Sequence, residues 1–262
     1  MVVVARFTPF DLHPLQPTLV KPFHRPGWVY EEKVDGWRIV VYKNGPTVRL
    51  VSRRGNDHTA RFPDLAEVIG ALPDKVLVLD GEVAVFDERL VSRFDLLAEP
   101  DPEVPTTPPV YVAFDVVYAC GRDLRSSPLE ARREALERVV GDVRLVYPVR
   151  RLASDGRRAW EEVLARGIEG YVGKDPTSTY LAGGITRSWL KAKVRHEGQF
   201  IVGGVVERSE GFSLLLGTMD GGRLSYRGLV HWGVGPAGPV RSSPTTSCGQ
   251  HRPSRLACRC EA

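Results

Sequence analysis

Lysine is the scarce cation of this chain: seven Lys stand against 29 Arg. A chain that draws its positive charge from Arg keeps Lys where Arg cannot serve. Two such places are nucleophilic attack by a deprotonated amine and point-charge contact in a tight phosphate site. Lys21, Lys43 and Lys75 read as chance occurrences. Lys33 lies in Glu31-Glu32-Lys33-Val34-Asp35-Gly36-Trp37-Arg38, after a β-rich run and before a tight Asp-Gly turn. Its amine therefore falls at a sheet edge, close to Asp35 and Arg38. A neighbouring cation and partial burial both lower a lysine pKa, as nucleophilic use requires. Taken alone, Lys-x-Asp-Gly reads equally well as an ordinary hairpin.

Three further segments shift that balance. Leu79-Asp80-Gly81-Glu82 sets acidic residues in an otherwise apolar strand. A carboxylate there costs several kcal/mol unless it meets a metal, a hydroxyl or a cation. Glu169-Gly170-Tyr171-Val172-Gly173-Lys174 puts another Glu and Lys on one strand. Trp189-Leu190-Lys191-Ala192-Lys193 puts two Lys at i and i+2, on the same face. A Lys pair beside carboxylates suits a polyphosphate held with a divalent ion.

The elements that must position these residues alternate irregularly. Residues 1–27 are Pro-rich and read as an irregular lead-in. Strands are expected over 28–33, 37–43 and 47–52, with Asp35-Gly36 and Asn44-Gly45-Pro46 as turns. Helices are expected from Phe62 to about Leu72, from Pro128 to Val140 and from Asp155 to Arg166. A long strand runs from Val76 to Phe86, interrupted at Asp80-Gly81-Glu82. Further strands are expected over 110–118, 145–149, 168–174 and 188–194, with a Pro-rich loop over 100–109. This is an α+β pattern without regular βαβ alternation. From Gly198 the texture changes to strands with Gly turns (199–207, 212–219, 223–230), as in a small β domain. After Gly235 neither helix nor strand period is visible.

Composition narrows the class. Apolar residues make up 42% and charged residues 26% of 262, which excludes wholesale disorder. No apolar run reaches the ~18 residues of a transmembrane helix, and no secretory signal opens the chain. The expected location is the cytoplasm. Of the net charge of +4, the last 26 residues carry +3, so nucleic acid would be bound by a local patch. Cys120 stands apart from Cys248, Cys258 and Cys260. A disulfide framework is excluded on that distribution, and Cys248, His251, Cys258 and Cys260 fit no common zinc spacing.

In this order the segments resemble the nucleotidyltransferase motifs of ATP-dependent DNA ligases, a superfamily shared with RNA ligases and capping enzymes. The similarity covers roughly residues 9–230. The Gly27–Arg38 lead-in and Phe200-Ile201-Val202-Gly203-Gly204 look closest to bacterial repair ligases associated with end joining. The resemblance implies an ATP-grasp-like nucleotidyltransferase domain over residues 1–195, of antiparallel sheets with flanking helices. A partial OB-fold over 196–235 and an irregular tail over 236–262 would follow. No polymerase or nuclease module is seen, which implies a stand-alone ligase.

Residue by residue, the resemblance makes Lys33 the nucleophile that attacks the α-phosphate of ATP and holds AMP as a phosphoramidate. Glu31 would sit against the adenine amine and Arg38 at ribose or phosphate. Arg53, in Ser52-Arg53, would face the ribose or the 5′-phosphate of a nick. Glu82 would bind the ribose hydroxyl or a metal, Phe114 would stack on adenine, and Glu169 would be a metal-site carboxylate. Lys174 would contact phosphate, and Lys191 and Lys193 would neutralise the transition state. The cofactors implied are ATP and Mg²⁺, with Mn²⁺ as a substitute. AMP would pass to the 5′-phosphate of a nick and leave on attack by the 3′-hydroxyl. The partners implied are nicked or broken duplex DNA, gripped through its backbone by Arg53, Arg54 and Arg61, and repair proteins of the end-joining, recombination or replication machinery. Arg150-Arg151 and Arg157-Arg158 are further candidates for that grip but read more readily as solvated surface. A monomer at the bacterial nucleoid is expected.

The chain departs from the family pattern after about Trp232. The final basic motif that orients pyrophosphate is not found there, and the expectation is a shifted or truncated reading frame near residue 235. The alternatives are an RNA ligase, a capping-type guanylyltransferase, or an impaired remnant that still binds nucleotide or DNA.

Overall fold

The computed structural model describes residues 12–195, 197–208, 211–232 and 255–259. The chain divides into two compact units, Met1–Val194 and Arg195–Ala262. In chain order the first unit contains β1 (Gln16–Leu19), β2 (Val29–Glu32), β3 (Trp37–Asn44), β4 (Thr47–Ser52), α1 (Pro63–Gly70), β5 (Val76–Ala84) and α2 (Phe94–Ala98). It continues with β6 (Val110–Ala119), β7 (Arg122–Asp123), α3 (Leu129–Val140), β8 (Val146–Pro148), α4 (Gly156–Arg166), β9 (Gly170–Lys174) and β10 (Ile185–Lys193).

Two sheets organise this unit. Sheet I runs β4-β3-β5-β6-β7, with β8 beside β6; sheet II runs β1-β10-β9-β2. The central strands of sheet I are apolar at almost every position because both of their faces are covered. Ile39, Val41, Leu77, Leu79 and Val116 point into one core with Leu65 and Ile69 of α1 and Leu136, Val139 and Val140 of α3. Their neighbours Val40, Tyr42, Val78 and Val117 point the other way, into a second core with Leu15, Tyr180 and Trp189. The side-chain period of two thus divides one strand between two cores. On sheet II, Tyr30, Tyr171 and Ala192 pack with Ala159 and Val163 of α4. Asp155 caps α4, accepting from the backbone N–H groups of Arg157 (2.8 Å) and Arg158 (3.2 Å).

Several expectations need correction. The lead-in contains β1, which pairs parallel with β10. Four residues with an internal Pro carry too little alternation to announce a strand. The parallel β1–β10 and β6–β8 pairs also make the sheets mixed. Five-residue α2 was hidden for want of a full amphipathic period. Strand β5 is continuous through Asp80-Gly81-Glu82; the acidic triplet shows only as a register shift against β6 between Asp80 and Gly81. Gly81 is required there because a Cβ would lie 2.5 Å from the Tyr111 ring and 2.6 Å from the Val112 carbonyl. Gly81→Ala is expected to cost about 3 kcal/mol, read as a lower urea midpoint at unchanged slope.

The second unit contains β11 (Glu197–Arg208), β12 (Gly211–Asp220), β13 (Arg223–Trp232) and β14 (Arg255–Arg259). They form one antiparallel sheet in the order β13-β12-β11-β14, with Leu214 and Leu216 buried. Strand β14 corrects the expectation of a wholly irregular tail: the free edge of β11 takes a five-residue backbone partner too short to show a period. The rest of the tail, with Cys248, His251 and Cys260 and the missing basic motif, lies outside the described residues.

Candidate active site

Lys33 directly follows β2, and its backbone N–H donates to the Gly170 carbonyl (3.0 Å) on the neighbouring β9. This tether carries its side chain to Glu169, the residue before β9. The Lys33 ammonium donates to the Glu169 carboxylate, and Lys193 reaches the other oxygen of that carboxylate at 2.7 Å. Lys191, two residues earlier on β10, has its pKa lowered by burial and then by the ammonium groups of Lys33 and Lys193. Three amines thus gather about the Glu169 carboxylate, with Asp35 and Glu82 close enough to feel the same charges.

These groups adjoin a cleft of about 190 Å³. Its walls include Glu31, Lys33, Arg38, Arg53, Glu82, Phe114, Lys174 and Lys191, all singled out from the sequence, together with Gln16, Pro17, Glu32, Val34, Val149, Val172 and Trp189. The lining mixes apolar and aromatic side chains with cations, the two kinds of surface a nucleoside with a phosphate tail would require.

Asp80 shows how a buried carboxylate in an apolar strand is satisfied. Arg38 grips it with two bonds, Nε at 3.0 Å and Nη2 at 2.7 Å, and the Tyr180 hydroxyl donates to it at 2.6 Å. It meets a cation and a hydroxyl, two of the three partners its position demanded. The Arg38 guanidinium also lies 5.2 Å from the centre of the Phe114 ring.

Glu82 has no such partner. Its pKa is pushed up to about 7, chiefly by burial, with Lys33 and Arg38 opposing and Glu169 and Asp35 adding to the rise. Because the folded pKa exceeds the unfolded one, stability from this group is complete at low pH and is lost as pH rises from about 4.5 to 7. Glu82→Gln removes that loss. The variant is expected to melt above wild type at pH 8, with the difference vanishing by pH 4; an equal offset at both pH values would refute this.

Lys174 lines the cleft from its buried side. It is fully buried, donates to the Phe114 carbonyl (2.9 Å), pairs with Glu31 (2.5 Å) and lies 3.7 Å from the centre of the Trp189 ring. It belongs with the aromatic residues of the cleft. Glu31 is also buried, with Arg133 on its second oxygen at 2.6 Å. Arg53 is exposed at the cleft rim, whereas Arg54 and Arg61 are exposed away from it. Arg61 packs over Trp37 (4.3 Å) and donates to the Leu97 carbonyl. Arg150 and Arg151 approach Glu32 (3.7 Å) and Glu137 (3.8 Å). Asp35, Tyr180, Arg133 and Gln16 were not foreseen as site residues, and the last three carry no motif signal at all.

Comparison with known proteins bears on this geometry. The family model described as the ATP-dependent DNA ligase domain matches residues 14–193, nearly the whole first unit. The chain belongs to the ATP-dependent DNA ligase family. Among curated relatives, the multifunctional non-homologous end joining DNA repair protein LigD of Mycobacterium tuberculosis is 34% identical over 79% of this chain and 27% of its own length. LigD of Pseudomonas aeruginosa is 34% identical over 87% of this chain and 29% of its own. This ligase-family chain therefore spans under a third of those relatives. The solved structure of mycobacterial DNA ligase D complexed with ATP and MES superposes with a TM-score of 0.65 at 30% identity, covering 84% of this chain and 72% of that one. The ligase domain of Mycobacterium tuberculosis LigD gives 0.62 at 30% identity, covering 86% and 74%. The first unit has the nucleotidyltransferase fold of these ligase domains. Among the described residues no helix is long and apolar enough to cross a membrane.

Proposed function

We propose that this chain is an ATP-dependent DNA ligase that joins 3′-hydroxyl and 5′-phosphate ends in duplex DNA through a lysyl-AMP intermediate on Lys33. The observation that carries the reading is the Lys33–Glu169–Lys193 contact beside a cleft lined by both aromatic and cationic side chains. The Lys33 amine must be neutral to attack, and Glu169 is the carboxylate in contact to take its proton. Attack on the α-phosphate forms the P–N bond and breaks the bond to pyrophosphate. Lys191 and Lys193 offset the charge that builds on the phosphate oxygens, and Arg38, fixed by Asp80, holds the ribose or phosphate. AMP then passes to the 5′-phosphate at a nick, and the 3′-hydroxyl displaces it.

The donor set fits a hard divalent cation. Glu82, Glu169 and Asp35 offer only oxygen, and Glu169 and Asp35 raise the proton affinity of their carboxylate neighbours, a repulsion that a cation relieves. No closed cage of three such donors exists among the described residues, in keeping with an ion that takes one or two carboxylates and completes its shell with phosphates and water. Glu82 and Glu169 would hold Mg²⁺ or Mn²⁺, which supplies charge neutralisation at the phosphates. Arg53 at the rim, with Arg54 and Arg61 beyond it, would track the DNA backbone, so binding weakens steeply with salt. The sheet of β11 to β14 is read as the partial OB-fold. End-joining proteins as partners and the bacterial nucleoid as the working place follow from the likeness to LigD.

The test incubates purified protein with α-labelled ATP and Mg²⁺, then with nicked duplex DNA. A covalent label that discharges into sealed DNA supports the reading. A label from GTP in preference to ATP, or sealing of nicked RNA alone, would replace it with a capping-type or RNA-ligase activity.

A further inference from the structure

Arg133 of α3 lies outside the cleft, yet its two terminal nitrogens reach two residues of the cleft wall. Nη1 donates to the Glu31 carboxylate at 2.6 Å and Nη2 to the Val149 carbonyl at 2.7 Å. Its Nε is tied to Glu137, one turn along α3, at 2.8 Å. The Arg133 side chain is 6% exposed, whereas Glu137 is 47% exposed. The guanidinium is thus anchored from the surface and spends its fork on β2 and on the segment after β8. Glu31 sits on the strand that ends at Lys33, and Val149 is held to sheet I through the Ala113 carbonyl at 2.8 Å. Glu31 and Val149 line the same lobe as Phe114, Trp189 and the buried Lys174. The other Glu31 oxygen is buried and faces Lys174 at 2.5 Å as an ion pair.

We propose that Arg133 is a positioning residue for nucleobase selection: by fixing Glu31 and Val149 together it sets the width and polarity of the cleft end that takes the base. The inference rests on the reading of the cleft as the ATP site. Only a planar fork satisfies two acceptors on different segments at once; a lysine ammonium would hold one of them. The phosphate end, with Lys33, Lys191 and Lys193, touches none of these bonds. Loosening the clamp therefore weakens base recognition and leaves the chemical step nearly intact.

The test compares wild type, Arg133→Met and Arg133→Lys in formation of the covalent label from ATP and from GTP, with equilibrium dialysis of both nucleotides, well below each variant's melting temperature. Arg133→Met is expected to raise KM for ATP about tenfold, keep kcat within about twofold and lower the ATP-over-GTP preference about tenfold. Arg133→Lys falls between. An unchanged preference, or a fall in kcat with KM unaltered, overturns the inference, since a merely structural role would not alter selectivity. A wild type that neither labels with nor binds ATP removes the reading of the cleft and the inference with it; a labelled wild type with unaltered selectivity in the variants removes the inference alone. Should both Arg133 variants fail to fold, Glu137→Ala releases, of the Arg133 fork, only Nε, together with the exposed Arg151. It is then expected to lower the same preference about twofold, and no change would overturn the inference.

Discussion

Lys33→Arg is expected to abolish covalent labelling by α-labelled ATP while leaving the fold in place. Arginine keeps the positive charge that Glu169 faces, so the pair that positions β9 against the end of β2 survives. What it cannot supply is a neutral nucleophile, because a guanidinium stays protonated at any working pH. Lys33→Ala removes the nucleophile and also leaves Glu169 to Lys193 alone. Both variants should run unlabelled on a denaturing gel, and circular dichroism should show both folded. Sealing of a nick that already carries AMP on its 5′-phosphate needs no lysine nucleophile, so Lys33→Arg should retain measurable activity in that assay. Label persisting on Lys33→Arg would move the nucleotide to another amine, with Lys191 next in line.

The candidate site residues were legible because they are expensive where they stand. Acidic residues inside β5, a Lys pair on one face of β10 and a Glu opening β9 each violate the apolar pattern of the strands that carry them. A sequence displays such violations plainly. The strands themselves were legible from explicit turns and β-rich runs. What stayed hidden was pairing across long sequence separation. Arg38 and Asp80 are 42 residues apart, Arg133 and Glu31 are 102 apart, and Tyr180 and Asp80 are 100 apart. None of these pairs alters the local period of its own element. Arg133 in particular sits in α3 among other charged residues and reads as an ordinary solvated position; only the docking of α3 on sheet I shows that it points inward. The surroundings of Lys174 stayed hidden for the same reason. A strand pattern gives the face on which a lysine lies, but not that Phe114 and Trp189 close over it.

A buried ion pair ties α3 to β6 alongside its apolar face, and breaking it is the largest stability change expected in this molecule. Arg132 and Asp115 are both wholly buried, joined by two bonds of 2.8 Å, Nε to Oδ1 and Nη2 to Oδ2. Arg132 Nη1 donates to the carbonyls of Ser127 (2.7 Å) and Ser178 (2.9 Å), and the Val116 N–H donates to Asp115 (2.8 Å). Arg132→Met leaves the Asp115 carboxylate and two carbonyls without their donor. Loss of one partner of such a pair costs about 3–5 kcal/mol, a large part of the stability of a domain. Changing both residues, Arg132→Met with Asp115→Leu, removes the stranded charge and leaves the two carbonyls and the Val116 N–H without these partners, at about 1–3 kcal/mol. The double variant is therefore expected to be more stable than Arg132→Met alone. The acid side gives an independent check. Burial already pushes the Asp115 carboxyl upward, with Arg132 opposing. Without Arg132 the folded pKa rises further, so the defect of Arg132→Met should shrink as pH falls and the carboxyl takes a proton. Urea unfolding at pH 5 and pH 8 measures both effects. A single variant that is no worse than the double, with a pH-independent deficit, would mean that α3 is held by its apolar face alone. Because Arg133 is the next residue on the same helix, the ion pair in the core would then have no part in aiming the clamp at the cleft.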